Sequence, residues 1–261
     1  MTIFWRELRA GVKALLLWSM VVGGLLAVCV ALYPSMADSM GDVSALFADM
    51  GSFSAAFGMD TLAFGSLMGF YGVECGNILG LGGAFFAALT GMGLLAGEEG
   101  GHTAEFLLTH PVGRVQAAAE KLGAMAVLVL AMQLICFAWG AGTILAIGER
   151  AVWEDLITYH AAALLMGLEV GGICFGLSAL LRRSSFGLAI GLAALLYFMG
   201  LAVNLDVGLD WLRYVTPFSY ADAPRIFAGE PVGRFALTGG VLGCACAAFG
   251  LWWYGRKDIA A

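Results

Sequence analysis

Charge is scarce in this sequence. Its 261 residues hold 13 Lys and Arg and 19 Asp and Glu, or 12% charged against 61% hydrophobic. A soluble domain is nearer a quarter charged and half apolar, so an ordinary water-soluble globule is excluded. Catalytic signatures are missing as well. No G-x-x-x-x-G-K-[ST] phosphate loop occurs, so the chain carries no ATP site of that kind. Neither an H-E-x-x-H zinc helix nor a G-x-S-x-G nucleophile elbow is present. The six cysteines, Cys29, Cys75, Cys136, Cys174, Cys244 and Cys246, lie in or beside apolar runs without metal-ligand spacing, and read as small packing hydrophobes. His102, His110 and His160 do not converge on one metal site either. There is no internal repeat of useful length and no low-complexity tail. The net charge of −6 argues against a nucleic-acid partner.

What the chain has instead is apolar length. Six runs, Ala14–Tyr33, Cys75–Gly97, Leu122–Gly148, Leu156–Leu181, Ser184–Leu205 and Phe235–Gly255, carry almost no charge. Each is near or above the roughly 20 residues that span a bilayer. The runs are continuous rather than alternating, which selects helices over a barrel. The expected fold is therefore all-α, a single polytopic membrane domain over residues 1–261 with six transmembrane helices. The first run follows Arg6, Arg9 and Lys13. Its apolar core exceeds the roughly 7–15 residues of a cleaved secretory signal, so it is kept as a helix. Residues Met1–Lys13 read as a short surface helix before it.

Lys and Arg set the expected orientation. With the N-terminus inside, the cytoplasm receives Arg6, Arg9, Lys13, Arg114, Lys121, Arg182, Arg183, Arg256 and Lys257, and the outside receives Arg150, Arg213, Arg225 and Arg234. The insert at about 34–74 has five acids and no Lys or Arg. Both termini are thus expected in the cytoplasm, in a multi-pass cell (inner) membrane protein. Within the insert, Val43, Leu46, Phe47, Met50 and Phe57 fall near one helical stripe, with Asp42 as a cap and Gly51 as an interruption. This predicts short amphipathic helices in the first outer loop. Arg182 and Arg183 pin a sharp inner turn. Aromatics and prolines in Asp206–Arg234 suit a compact outer loop. Glycines four apart (Gly167 and Gly171, Gly172 and Gly176, Gly187 and Gly191, Gly239 and Gly243, Gly93 and Gly97) predict close helix packing.

Two places carry chemistry. Glu169 falls near the middle of the fourth run, where an ionisable group is costly and faces the bundle interior or a wet cavity. It is a candidate for the translocation path, with Gln133 as a possible partner; the alternative is a protonated, hydrogen-bonded packing residue. The stretch GEEGGHTAEFLLTHP, Gly97–Pro111, interrupts two apolar runs. Gly100 and Gly101 break the incoming helix, Thr103 is a good N-cap, and Glu105 suits the helix dipole. Phe106, Leu107 and Leu108 are apolar, and Pro111 ends the element. A helix of about two turns with apolar and acidic faces is a docking element.

The segment GEEGGHTAEFLLTHPVGRVQAAAEKL resembles the inner loop of ABC-2-type transporter permease subunits. Glu98, Glu99, Thr103, Glu105, Leu107, Leu108, Pro111, Arg114 and Lys121 occupy the matching places. LSALLRRSSFGLAIGL resembles that family's turn between spans four and five, and WWYGRKDI its basic tail. The resemblance implies the membrane half of an ATP-driven transporter, usually an exporter, and no enzyme in its own right. Two ATPase chains, holding ATP and Mg, and a second permease chain, a copy or a paralogue, would complete the unit. A coupling loop at about 98–113 would seat its helix in the ATPase. Phe106, Leu107 and Leu108 would anchor it, while Glu98, Glu99, Glu105 and Arg114 set register. Two rival classes remain: a stand-alone proton-coupled carrier using Glu169, and an intramembrane enzyme using Glu98 and Glu99.

Overall fold

A computed structural model describes residues 2–37, 51–59, 66–101, 112–205 and 208–257. Six helices among them are long and apolar enough to cross a membrane: α1 (Thr2–Met36), α3 (Leu67–Gly93), α5 (Arg114–Ala146), α6 (Trp153–Leu180), α7 (Phe186–Asn204) and α9 (Gly233–Arg256). Short helices α2 (Ser52–Ala56), α4 (Ala96–Gly100) and α8 (Ala223–Phe227) lie between them. The chain is a multi-pass membrane protein.

Residues Thr2–Lys13 do not form a separate surface helix. They are continuous with the first span in one helix of 35 residues. Gly11 stands alone there without a second breaker, and its bare Cα accepts Leu128 of α5. At about 1.5 Å per residue, α1 and the 33-residue α5 far exceed the roughly 30 Å of hydrocarbon. They overrun it side by side, and the Phe4 N–H donates to Glu120 Oε2 at 3.2 Å. The outward faces of α1, such as Leu17, Met20 and Val28, are more than half exposed, which is tolerable only against lipid.

The second span starts earlier than its apolar run, at Leu67, because Ser66 caps it by accepting from the Gly69 N–H. It includes one π-helical turn, Tyr71–Cys75. It stops at Gly93, and a separate turn, α4, ends at Gly100. Helix α6 is the centre: 67% of its apolar window is buried, against 28% in α1 and α7 and 22% in α9. Glycine makes that possible. A Cβ on Gly172 would lie 2.7 Å from the Gly243 carbonyl of α9, and one on Gly243 would lie 2.8 Å from the Glu169 Cα. Gly187 and Gly191 of α7, by contrast, face open space. Equal spacing thus served two different surroundings.

The bundle has two unlike ends. At one, the start of α1, α4, the start of α5, the close of α6 and the close of α9 meet through charged side chains. At the other, α2 and the connection from α7 to α9 meet through hydrogen bonds. That connection contains 3-10 turns Asp210–Tyr214 and Pro217–Ser219 and the helix α8, capped by Asp222. Of the first-loop stripe, Asp42, Val43, Leu46, Phe47 and Met50 lie outside the described residues; α2 follows Gly51, whose φ is +53°.

Candidate functional site at the charged end

The break after α3 creates the site. Leu94 N–H turns back to the Gly91 carbonyl at 3.4 Å, and the Leu94 carbonyl is left without a helical partner. Lys121 of α5 donates to it at 2.7 Å. The same ammonium lies 2.8 Å from Glu98 Oε1 and 3.5 Å from Glu7 Oε1. Lys121 is 1% exposed, so its charge stands or falls with these partners. Arg6 of α1 also donates to Glu98 Oε1.

Glu99 faces the other chain end. Its Oε1 accepts from Lys257 Nζ at 2.8 Å. Lys257 also donates to the Leu181 carbonyl at 2.7 Å, which closes α6. Arg114, the first residue of α5, donates to the Lys257 carbonyl at 2.9 Å. Arg183 lies against Gly100, where a Cβ would meet its Cγ at 3.2 Å. Five segments are therefore pinned around two buried acids.

The structure brings Glu98, Glu99 and Arg114 together, at the roots of residues 102–111. Thr103, Glu105, Phe106, Leu107, Leu108 and Pro111 lie outside the described residues. Glu98 and Glu99 were expected on a partner-facing surface. They are 8% and 5% exposed, and each gives one oxygen to cations of this chain. The physical reason is the early end of α3, which carries the acids back among the basic ends of α1, α5 and α9. Sequence reading placed Arg6 and Lys257 only as topology signals. Their role as partners had one faint sign: Arg114 and Lys121 are seven apart and share a helix face. Nothing in the sequence linked either chain end to Glu98 or Glu99.

Glu169 sits elsewhere, deep in α6 and 2% exposed. Its Oε2 accepts from the Tyr220 hydroxyl at 2.7 Å. It lies in a notch made by Gly239 and Gly243, so the small residues of α9 make room for the carboxyl. Gln133 is not its partner: Gln133 Nε2 lies 2.8 Å from His160 Nδ1, and the Tyr71 hydroxyl lies 3.0 Å from His160 Nε2. These buried polar groups satisfy one another across α3, α5 and α6.

No curated protein matches the chain. The description "ABC-2 family transporter protein" attaches to a family model that matches residues 1–221. The match takes in the first five spans and both acids of the pinned cluster, and stops before α9. With six spans and 85% of its length inside that match, the chain belongs to the ABC-2 transporter family and is a permease subunit that works with an ABC ATPase.

Proposed function

We propose that this chain is the permease of an ATP-driven exporter in a cell (inner) membrane, with its charged end and both termini in the cytoplasm. The working unit would pair it with a second permease, a copy or a paralogue, and two ATPase chains that hold ATP and Mg. Residues 102–111 would carry the coupling helix. Phe106, Leu107 and Leu108 would fill a groove on the ATPase, and Glu105 would set register there.

One observation carries this reading: both roots of the 102–111 segment are fixed to the rest of the bundle. Glu98 and Glu99 fix α4, and Lys121 and Arg114 fix α5. A push on the segment by a closing ATPase would then reach α1, α6 and α9 together rather than dissipate in a loose loop. Such a push is a ligand-driven shift between two arrangements. The basic side chains also support the orientation, since nine of the 13 Lys and Arg lie at this end.

The test is purification of the chain from its own membranes with and without polar replacements at Phe106, Leu107 and Leu108. A P-loop ATPase should accompany the parent and be lost from the triple variant. If crosslinking traps no ATPase and the chain alone moves solute under a pH gradient, the carrier reading built on Glu169 takes its place.

A further inference from the structure

Helices α5 and α6 leave a groove of about 290 Å³ between them. Gln133, Leu134 and Phe137 of α5 and Ile157, His160 and Ala161 of α6 line it, each set spaced three and four apart on one helix face. Leu134 and Ile157 are exposed, so the groove opens toward lipid. His160 is the eighth residue of α6, about 10 Å along the helix, which puts the groove in hydrocarbon rather than among headgroups. Farther along, the same two helices close tightly. A Cβ on Gly167 of α6 would lie 2.9 Å from Val129 of α5, and one on Gly171 would lie 3.0 Å from Met125.

One polar group in this groove keeps spare hydrogen-bonding capacity. The Gln133 amide N–H donates to His160 Nδ1 at 2.8 Å, so the ring proton sits on Nε2 and goes to the Tyr71 oxygen at 3.0 Å. Tyr71 comes from the π-helical turn. Its hydroxyl fits because Gly140 has no side chain: a Cβ there would lie 2.6 Å from the oxygen. Both His160 nitrogens are thus engaged. The Gln133 Oε1 and its second N–H have no hydrogen-bond partner among the described residues. Gln133 is only 8% exposed, and it lines the groove beside His160. An unmet amide in hydrocarbon is costly. No Asp, Glu, Lys or Arg lines the groove, so a charged occupant would find no counter-ion there.

We propose that the groove binds a neutral lipophile that carries one hydroxyl group and enters from the bilayer. The hydroxyl would pair with the Gln133 amide, and the body would lie along Leu134, Phe137, Ile157 and the small Ala161. A hydroxyl both donates and accepts, so one group can meet either Oε1 or the free N–H. A volume near 290 Å³ is about twice the roughly 150 Å³ cavity that holds a benzene, which suits a body of two aryl rings. A water molecule needs about two to four polar partners and would find one side chain with capacity left. A lipid acyl chain would fill the space and leave the amide unmet.

The test uses the purified full chain, without ATPase, in lipid discs, with empty discs of the same lipid as the partition background. The probes are 4-benzylphenol and diphenylmethane, which differ by one hydroxyl, and bound probe is measured by equilibrium dialysis. After correction for partition into empty discs, the phenol should bind saturably and about tenfold tighter than the hydrocarbon. Gln133→Met should bring the phenol down to the level of the hydrocarbon and leave the hydrocarbon unchanged. Ala161→Phe, at an exposed position, should fill the groove and remove saturable binding of both. Leu195→Phe, at an exposed position of α7, should change nothing. Equal affinity of the two probes in the parent chain overturns the proposal without any variant needing to fold. Absence of saturable binding does the same, as an acyl chain or a second copy seated in the groove would cause, and so does binding that survives Ala161→Phe. Failure to find an ATPase partner would leave all of these results in force.

Discussion

Glu98 and Glu99 at one end of the bundle, and Glu74 and Asp222 at the other, are four acids in one chain with opposite circumstances. The first two are buried and matched by Arg6, Lys121 and Lys257, which arrive from α1, α5 and α9. The second two form no ion pair among the described residues: Asp222 accepts from Asn204 and the Arg225 N–H, and Glu74 lies partly buried beside a separate cavity. Buried ion pairs tie segments together because losing one partner strands the other's charge. At the other end hydrogen bonds do the tying: Asp222 caps α8 and accepts from Asn204 at the close of α7. One end is held by charge pairs and the other by neutral donors to Asp222.

The most severe way to break the comparison is Lys121→Met. It removes the ammonium shared by Glu98, Glu7 and the Leu94 carbonyl. A loss of about 3–5 kcal/mol is expected, read as a lower thermal midpoint and poor yield in membranes. Adding Glu98→Gln should restore part of it, because the buried acid left with Arg6 alone is then neutral. A Lys121→Met protein as stable as its parent would mean that the charged end is held by something else.

A smaller loss should follow from Tyr220→Phe. It deprives Glu169 of its hydroxyl donor at 2.7 Å and unpins the loop before α8 from α6. About 1–3 kcal/mol is expected, measured by the same unfolding assay. The loop end should loosen first, visible as faster amide exchange in residues 217–227 while 96–100 stays protected. Uniform loss of protection would contradict the separation of the two ends.

The smallest effect concerns Asp222 and is read from its sign. Burial pushes this carboxyl above the ordinary aspartate range, against the pull of bonds from Asn204 and the Arg225 N–H. The folded chain therefore holds the proton more tightly than the unfolded chain. Asp222 subtracts stability progressively as pH rises from about 4 through the raised value. Asp222→Asn keeps an N-cap of similar quality and removes the titration. The variant should gain on its parent as pH climbs from about 4 through that raised value. Parallel curves would place Asp222 in water instead.

How far the sequence could be read differs between these regions. The six spans were legible because continuous apolar length has one solution in a bilayer. The break at Glu98 and Glu99 was legible as a break, since acids and glycines interrupt an apolar run. Their burial was not, because it depends on Arg6 and Lys257, which are 92 and 158 residues away in the chain. Glu169 stood out by its cost in an apolar run. Its partner did not, since Tyr220 enters from a loop while Gln133, the nearer guess by depth, is taken by His160.

What the sequence alone determined is therefore what local chemistry determines: helices, their number, their breaks and which groups are costly in lipid. Hydrophobic length and the backbone's need for internal hydrogen bonds act within a segment and need no knowledge of its neighbours. Which acid meets which base, which glycine admits which helix, and where volume is left over were decided only by tertiary structure. Gly172 touches α9 while Gly187, with the same spacing to its next glycine, faces open space. Pairing energies and packing act at a few ångströms between segments far apart in the chain, and only the assembled bundle sets those distances.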